Sequence, residues 1–311
     1  MKISKRDVSL LIGFVGILIG FLAYQFGYVR INEKVEAMET QNTQMRTEIS
    51  QLEALQANQT FYEEETTRMD GEITEKTQTG YLLPIAFDMI DGELLDRTVE
   101  LLSEKIKSNN YTLSTGFVGT GILNQTLSKV GLDKLAYSLL LNTADPSWLY
   151  SVRQGATTVW ERWNSYTKAT GFGHVGMNSF NHYAYGAVAE WMYATMAGIR
   201  PDPDYPGFEE RFILAPVPDT RSDEELPEGQ KRITSVSAAY RGIISRWEYE
   251  NGRFVWSFTI PYGTARVEFP LLYGQNNIEL NGVLFDKKEL HGSIENKKMI
   301  FELSAGRYTV K

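Results

Sequence analysis

The sequence predicts an α + β multidomain chain: a transmembrane helix and coiled coil, then stacked αα-hairpins, then a C-terminal antiparallel β-sandwich. Three observations predict it. Residues Val8 to Val29 carry no charge. Helical spacing of apolar residues dominates from Thr77 to Ile199. After Pro201-Asp-Pro-Asp-Tyr-Pro206 the apolar period switches to two, which places no strand before residue 200. A length of 311 residues, 42% of them hydrophobic, is enough for two packed domains after the N-terminal segment.

The run VSLLIGFVGILIGFLAYQFGYV exceeds the roughly 20 apolar residues needed to cross a bilayer. Lys2, Lys5 and Arg6 precede it, opposed by Asp7, so residues 1–30 read as a cytoplasmic tail and single-pass anchor with the later domains extracytoplasmic. Tyr24 and Tyr28 fall where an interfacial aromatic belt sits. A cleaved signal peptide is the rival reading, but it calls for a shorter apolar core and an A-x-A-like site, and no such site precedes Arg30. Residues 31–70 read as a helical stalk. Ile31, Val35, Met38, Asn42, Met45, Ile49 and Leu52 alternate steps of four and three, an a/d seam with Asn42 at an a position. The seam spans about three heptads, so a coiled-coil partner through residues 31–55 and a single amphipathic helix both fit. This arm resembles the N-terminus of type IV pilus inner-membrane assembly proteins of the alignment-subcomplex type. Residues 60–76 read as a charged junction.

In 77–200 the helices follow from spacing. Tyr81, Leu82, Ile85 and Met89 mark one. Leu94, Leu95, Val99, Leu102 and Ile106 mark the next, opening at Asp91-Gly92. Ile122–Val130 and Leu132–Leu141 form a pair around Gly131. Phe180–Ala197 reads as a long apolar helix stopped by Gly198 and Pro201. In 207–311 the expected strands are Arg211–Ala215, Ile233–Tyr240, Ile243–Glu250, Arg253–Ile260, Thr264–Phe269, and short ones near Met299–Leu303 and Arg307–Val310. Asn251-Gly252 and Asn281-Gly282 are hairpin turns. Asp219–Gln230 reads as an acidic loop.

Two segments carry the chemistry: Gly155-Ala-Thr-Thr-Val-Trp-Glu161-Arg-Trp-Asn164 and Met177-Asn-Ser-Phe-Asn-His182-Tyr-Ala-Tyr185. A carboxylate between two tryptophans and a histidine among aromatics and amides suit a glycosidase, because aromatic faces stack on sugar rings and a carboxylate can activate water. Each residue also has a plainer reading. Glu161 can pair with Arg162 or Arg153. His182 can be a satisfied core histidine. Trp160 and Trp163 can be packing only, and Asn178, Asn181 and Tyr183 can bond to backbone. Trp148, after Pro146, is a candidate sugar platform. Asp145 reads as a turn residue and Glu190 as structural.

These blocks resemble the late catalytic barrel of bacterial α-L-rhamnosidases, glycoside hydrolase family 78. Thr77-Gln-Thr79, Ser114-Thr-Gly-Phe117, Asp145-Pro-Ser-Trp148 and Ala215-Pro-Val-Pro218 match further blocks, so the resemblance runs from near Thr77 to the end. It implies that 77–200 is part of an (α/α)6 six-hairpin barrel and 207–311 the family's β domain. It also implies that Glu161 is the general base and that His182 contacts a rhamnose-containing glycoside; Trp148, Trp160, Trp163 and Asn181 are the further candidate substrate-binding residues. The family's general acid is a Glu in an acidic block of the first half-barrel, and no segment here matches that block. The resemblance therefore implies an inverting α-L-rhamnosidase fragment of impaired activity. The alternative is a membrane-anchored structural or sugar-binding protein without catalysis.

The remaining composition bounds other functions. A net charge of −8 argues against nucleic acid. There is no cysteine, and His174, His182 and His291 are too scattered to suggest a metal site. Gly119-Thr-Gly121 lacks the rest of a dinucleotide fingerprint, so no cofactor is expected.

Overall fold

The computed structural model describes residues 76–205, 207–272, 278–285 and 292–311. The anchor, the stalk and the pilus-like arm lie outside them. Among the described residues no helix is long and apolar enough to cross a membrane.

The first helix, Gln78–Ala86, carries the apolar spacing read from Tyr81, Leu82 and Ile85, and the Thr77 hydroxyl caps it by accepting the Gly80 N–H at 2.9 Å. Gly92–Ser108 opens at Asp91, with Glu93 in its first turn and Lys105 and Lys107 in its last, charges that complement the helix dipole. Phe117–Lys129 and Asp133–Leu140 are joined at Gly131, which takes a φ of +76°. Trp148–Gln154 is capped by the Ser147 hydroxyl and closes on left-handed Gly155. Their inward residues share one core with Leu82, Ile85, Leu102, Ile106, Leu123, Leu127, Leu139 and Trp191.

Two expectations for the helical part are corrected. The helix read at Phe180–Ala197 begins later and is composite: a 3₁₀ turn at Ala184–Ala187, an α turn at Val188–Trp191 and a π turn at Met192–Met196. Residues 179–182 cannot start it, because Ser179 O and the His182 N–H are bonded to the Val159–Glu161 segment. A small hairpin also precedes residue 200, strand β1 (Tyr166–Thr167) against β2 (Gly171–Phe172). Its three-residue loop leads into Gly171 at φ +74°, and Thr167 Oγ1 accepts the Thr170 N–H at 2.9 Å.

The β region departs from two stacked antiparallel sheets. It is one nine-stranded sheet among the described residues. In chain order the strands are β3 (Ile199–Pro201), β4 (Arg211–Leu214), β5 (Ser235–Tyr240), β6 (Ile243–Glu250), β7 (Arg253–Pro270), β8 (Ile278–Leu280), β9 (Val283–Phe285), β10 (Ser293–Glu295) and β11 (Lys298–Val310). The two strands expected at Arg253–Ile260 and Thr264–Phe269 are one strand, as are the two near the C-terminus. The first half of β7 pairs with β6 and the end of β11, and its second half pairs with β4 and the start of β11. At Pro261–Gly263 the buried set shifts by one residue, from Phe254, Trp256, Phe258 and Ile260 to Ala265, Val267 and Phe269. Gly263 takes φ +64°, and the β7–β11 register slips between Ser304 and Gly306. A bend with a bulge lets one strand serve two walls of one core. The β4–β7 pair is parallel, so the sheet is mixed.

The helical and sheet parts of this unit meet at a polar seam. Gly198 sits at φ +76°, where a Cβ would fall 2.1 Å from Pro216 N. Trp247 Nε1 donates to Met196 O at 2.7 Å, and Tyr137 Oη to Val217 O at 2.7 Å. The segment read as an acidic loop contributes a fully buried ion pair, Arg221 Nη2 to Asp219 Oδ2 at 2.7 Å. Arg221 also donates to Ser138 Oγ and Gln230 Oε1.

Candidate active site

Two extended segments build the site. Glu161 N–H donates to Ser179 O at 2.9 Å and His182 N–H to Val159 O at 2.9 Å, and the Thr158 hydroxyl bonds Phe180 O. The ladder brings Ser179 N–H to Glu161 Oε2 at 2.7 Å. A backbone donor therefore fixes the carboxylate through a charge-assisted bond. Neither arginine expected as an ion partner fills that role. Arg162 Nη2 donates to Gly176 O at 3.0 Å, and Arg153 Nη1 donates to Thr143 Oγ1 at 3.0 Å.

Glu161 faces an open depression of about 230 Å³ lined by Gly116, Phe117, Arg162, Met177 and Tyr185. Phe117 and Tyr185 were named in the sequence blocks without a role, and Met177 likewise. Tyr185 is 8% exposed. Burial, and then the charge of Glu161, push its phenol above the ordinary tyrosine value. Thus the phenol and the carboxylate share one field. Only the tertiary structure reveals this, because the two residues lie on separate segments, Glu161 in an extended stretch and Tyr185 in the 3₁₀ turn.

The other expected residues form the shell behind these walls. Trp163 lies flat on Tyr185, with centroids 3.8 Å apart and planes at 8°. Trp148 meets Trp163 edge-on at 5.7 Å, and its Nε1 donates to Tyr185 O at 2.8 Å. Trp160 is buried against Phe180 and Tyr166. His182 stacks on Phe117 at 4.7 Å, and its Nδ1 accepts the Ala184 N–H at 3.4 Å. Asn181 is exposed, with its backbone N–H on Ser179 Oγ at 3.2 Å. Glu190 accepts from Gln125 Nε2 at 3.4 Å, away from the depression.

The wall carrying Phe117 is set from below. Gln78 is fully buried; its Nε2 donates to Thr112 O and its Oε1 accepts the Ser114 N–H, each at 2.9 Å. Thr115 and Thr120 share a hydroxyl bond at 2.7 Å across the start of the Phe117–Lys129 helix. At Gly119 a Cβ would meet Thr79 Oγ1 at 2.7 Å, so the helix packs there only without a side chain. Among the described residues no group of three or more His, Asp or Glu is placed to hold a metal ion.

The family model for the bacterial α-L-rhamnosidase six-hairpin glycosidase domain matches residues 26–196, more than half of the chain. The match begins inside the segment read above as anchor and stalk. An α-L-rhamnosidase of Formosa agariphila is 42% identical over 199 residues, 62% of this chain and 20% of that protein. One of Alteromonas sp. is 36% identical over 205 residues, 66% of this chain and 21% of that protein. The crystal structure of Streptomyces avermitilis α-L-rhamnosidase complexed with L-rhamnose superposes with a TM-score of 0.64 at 31% identity, over 78% of this chain and 22% of that one. The chain thus spans about a fifth of the length of the relatives it matches. The ordered blocks, the fold and the family match agree: this chain belongs to the bacterial α-L-rhamnosidase six-hairpin glycosidase family.

Proposed function

We propose that the chain supplies the general-base side of an inverting α-L-rhamnosidase site, with Glu161 as the base. The observation that carries the reading is the 2.7 Å bond from Ser179 N–H to Glu161 Oε2 at the edge of the depression. It holds one oxygen and leaves Oε1 for a water. In the proposed reaction Glu161 takes a proton from that water as its oxygen attacks the anomeric carbon. A carboxylic acid on the opposite side protonates the departing oxygen, and the configuration inverts. Among the described residues Glu161 is the only carboxylate lining the depression, so the acid is not part of this wall. Turnover is expected to be weak and to favour activated leaving groups, since general acid catalysis typically contributes about 10²–10⁴-fold.

His182 is proposed to contact the sugar, with Trp163, Trp160 and Trp148 holding the walls and Asn181 at the rim. Isothermal titration of the full chain with L-rhamnose tests this. Glu161→Gln should bind within a few-fold of the parent. His182→Ala should bind more weakly, by about the 0.5–1.5 kcal/mol of one hydrogen bond. No binding by the parent would leave the non-catalytic, structural reading.

We also propose that residues 8–29 anchor the chain, with the N-terminus cytoplasmic, supported by their lack of charge and by Lys2, Lys5 and Arg6. The heptad seam at 31–55 is proposed as a partner surface, although the family match covers the same residues. Flotation of the full chain with liposomes tests the anchor, and loss of flotation must follow deletion of 8–29. Cross-linking at Asn42→Cys tests the seam; no dimer would rule it out.

A further inference from the structure

The depression beside Glu161 is mostly apolar. Phe117, Met177 and the Tyr185 ring form its walls, with Glu161 and Arg162 as the charged members. These apolar walls differ in stiffness. Phe117 is braced, stacked on His182 at 4.7 Å and edge-on to Tyr185 at 5.4 Å. Met177 is 71% exposed and sits at φ +49°, a left-handed conformation that is uncommon outside glycine. The Arg162 bond to Gly176 O and the Asn178 Nδ2 bond to Ser165 O, at 3.3 Å, fix the chain on either side of it. Two residues on, Ser179 holds the base. One short segment thus presents an unbranched, adaptable thioether beside the catalytic carboxylate. An exposed methionine held in this way has no core to fill, so its apolar length is available to a ligand.

We propose that Met177, which lines the depression together with the braced Phe117 ring, receives the C5-methyl group of an L-rhamnosyl residue and sets the preference for 6-deoxy sugars. This rests on the general-base reading of the same site. L-Rhamnose differs from L-lyxopyranose by that methyl group alone, and from L-mannose by the absence of a 6-hydroxyl. The Met177 and Phe117 side chains offer no N–H or O–H to a hydroxyl; the polar side-chain atoms of the lining belong to Glu161, Arg162 and the Tyr185 phenol.

Calorimetric titration of the full chain with L-rhamnose, L-lyxose and L-mannose tests it. The parent should prefer L-rhamnose over L-lyxose by about 4-fold, the worth of one buried methylene-sized group. Met177→Gln keeps the length but adds an amide. It should bring that ratio close to one and improve L-mannose relative to L-rhamnose. Met177→Leu should keep the preference. Exposure of Met177 makes misfolding of either variant easy to exclude by circular dichroism. A parent that binds L-rhamnose while Met177→Gln keeps the full rhamnose-to-lyxose ratio would overturn the assignment of Met177 and leave the general-base reading standing. A parent that binds none of the three sugars would overturn both.

Discussion

The helical part and the sheet part place their aromatic residues in opposite ways. In the sheet, Trp247, Trp256, Phe212 and Phe269 are fully buried on strands β4, β6 and β7. In the helical part the aromatics between Trp148 and Tyr185 form two groups of ring contacts, one with Trp163 and Tyr185 and one with Trp160 and Phe180, and each reaches an open surface. Phe172 there is 74% exposed and Tyr183 88%. The sheet has spent its aromatic surface on stability, whereas the site loops keep theirs at the rim of a depression. Irregular segments positioned by a rigid scaffold are where binding residues collect. The polar seam at Asp219 and Arg221 connects the two.

That contrast can be broken from the seam outward. Asp219→Ala leaves the Arg221 guanidinium buried and unpaired, and loss of one partner of a buried pair costs about 3–5 kcal/mol. Urea unfolding should register it as the largest effect here. The paired replacement of both residues by apolar ones should recover much of the loss. A single Asp219→Ala variant of parental stability would show that the seam does not couple the regions.

Gln78→Ala lies on the helical side, under the Phe117 wall. It strands the Ser114 N–H and removes one of the two side-chain donors on Thr112 O, which Asn109 Nδ2 still reaches at 3.2 Å, at a cost of about 1 kcal/mol. Rhamnose affinity should fall with stability, because the Ser114–Phe117 segment loses its register. Unchanged affinity would separate that segment from the site.

Trp163→Ala sharpens the comparison further. The stacked Trp163–Tyr185 pair is worth about 0.5–1.5 kcal/mol beyond area burial. A half-exposed site aromatic should cost less stability than a sheet tryptophan such as Trp256, whose truncation costs about 3–5 kcal/mol. Rhamnose binding should nevertheless suffer more in Trp163→Ala than in Trp256→Phe. The opposite ranking would place the site's support in the sheet.

The smallest effect is a pH dependence. Burial alone would raise the Glu268 carboxyl, but the hydrogen bond and charge of Lys298, with Arg200 and Arg266, outweigh it and hold the group below its ordinary 4.5. A folded value below the unfolded one contributes stability above pH 4.5 that is lost as pH falls through the folded value. Glu268→Gln should therefore flatten the acid limb of the stability curve below about pH 4.5 and leave L-rhamnose binding untouched.

Much of this was legible in local pattern. The helices around Gly131, the turns at Asn251-Gly252 and Asn281-Gly282 and the switch to strand period are all set by neighbours in sequence. What escaped is nonlocal. The bend at Pro261–Gly263 shifts the buried phase of β7, so one strand reads as two. The segment at residues 179–182 spends its backbone bonds on the Glu161 segment, so an apolar run that looks helical is extended. Asp219 and Arg221 read as loop charges because their burial depends on Ser138 and Gln230. At the site, Glu161 was marked by its flanking tryptophans. Tyr185 and Met177 acquire their roles only where separate loops converge.

The central claim is that Glu161, held by the Ser179 N–H, is the base of this site. Steady-state hydrolysis of 4-nitrophenyl α-L-rhamnoside by the full chain and by Glu161→Gln tests it most directly, because that leaving group needs little protonation. The account predicts slow, inverting turnover by the parent. In the variant it predicts a fall on the order of 10²–10⁴-fold, with L-rhamnose still bound within a few-fold. Equal rates in parent and variant, including no turnover in either, would contradict it.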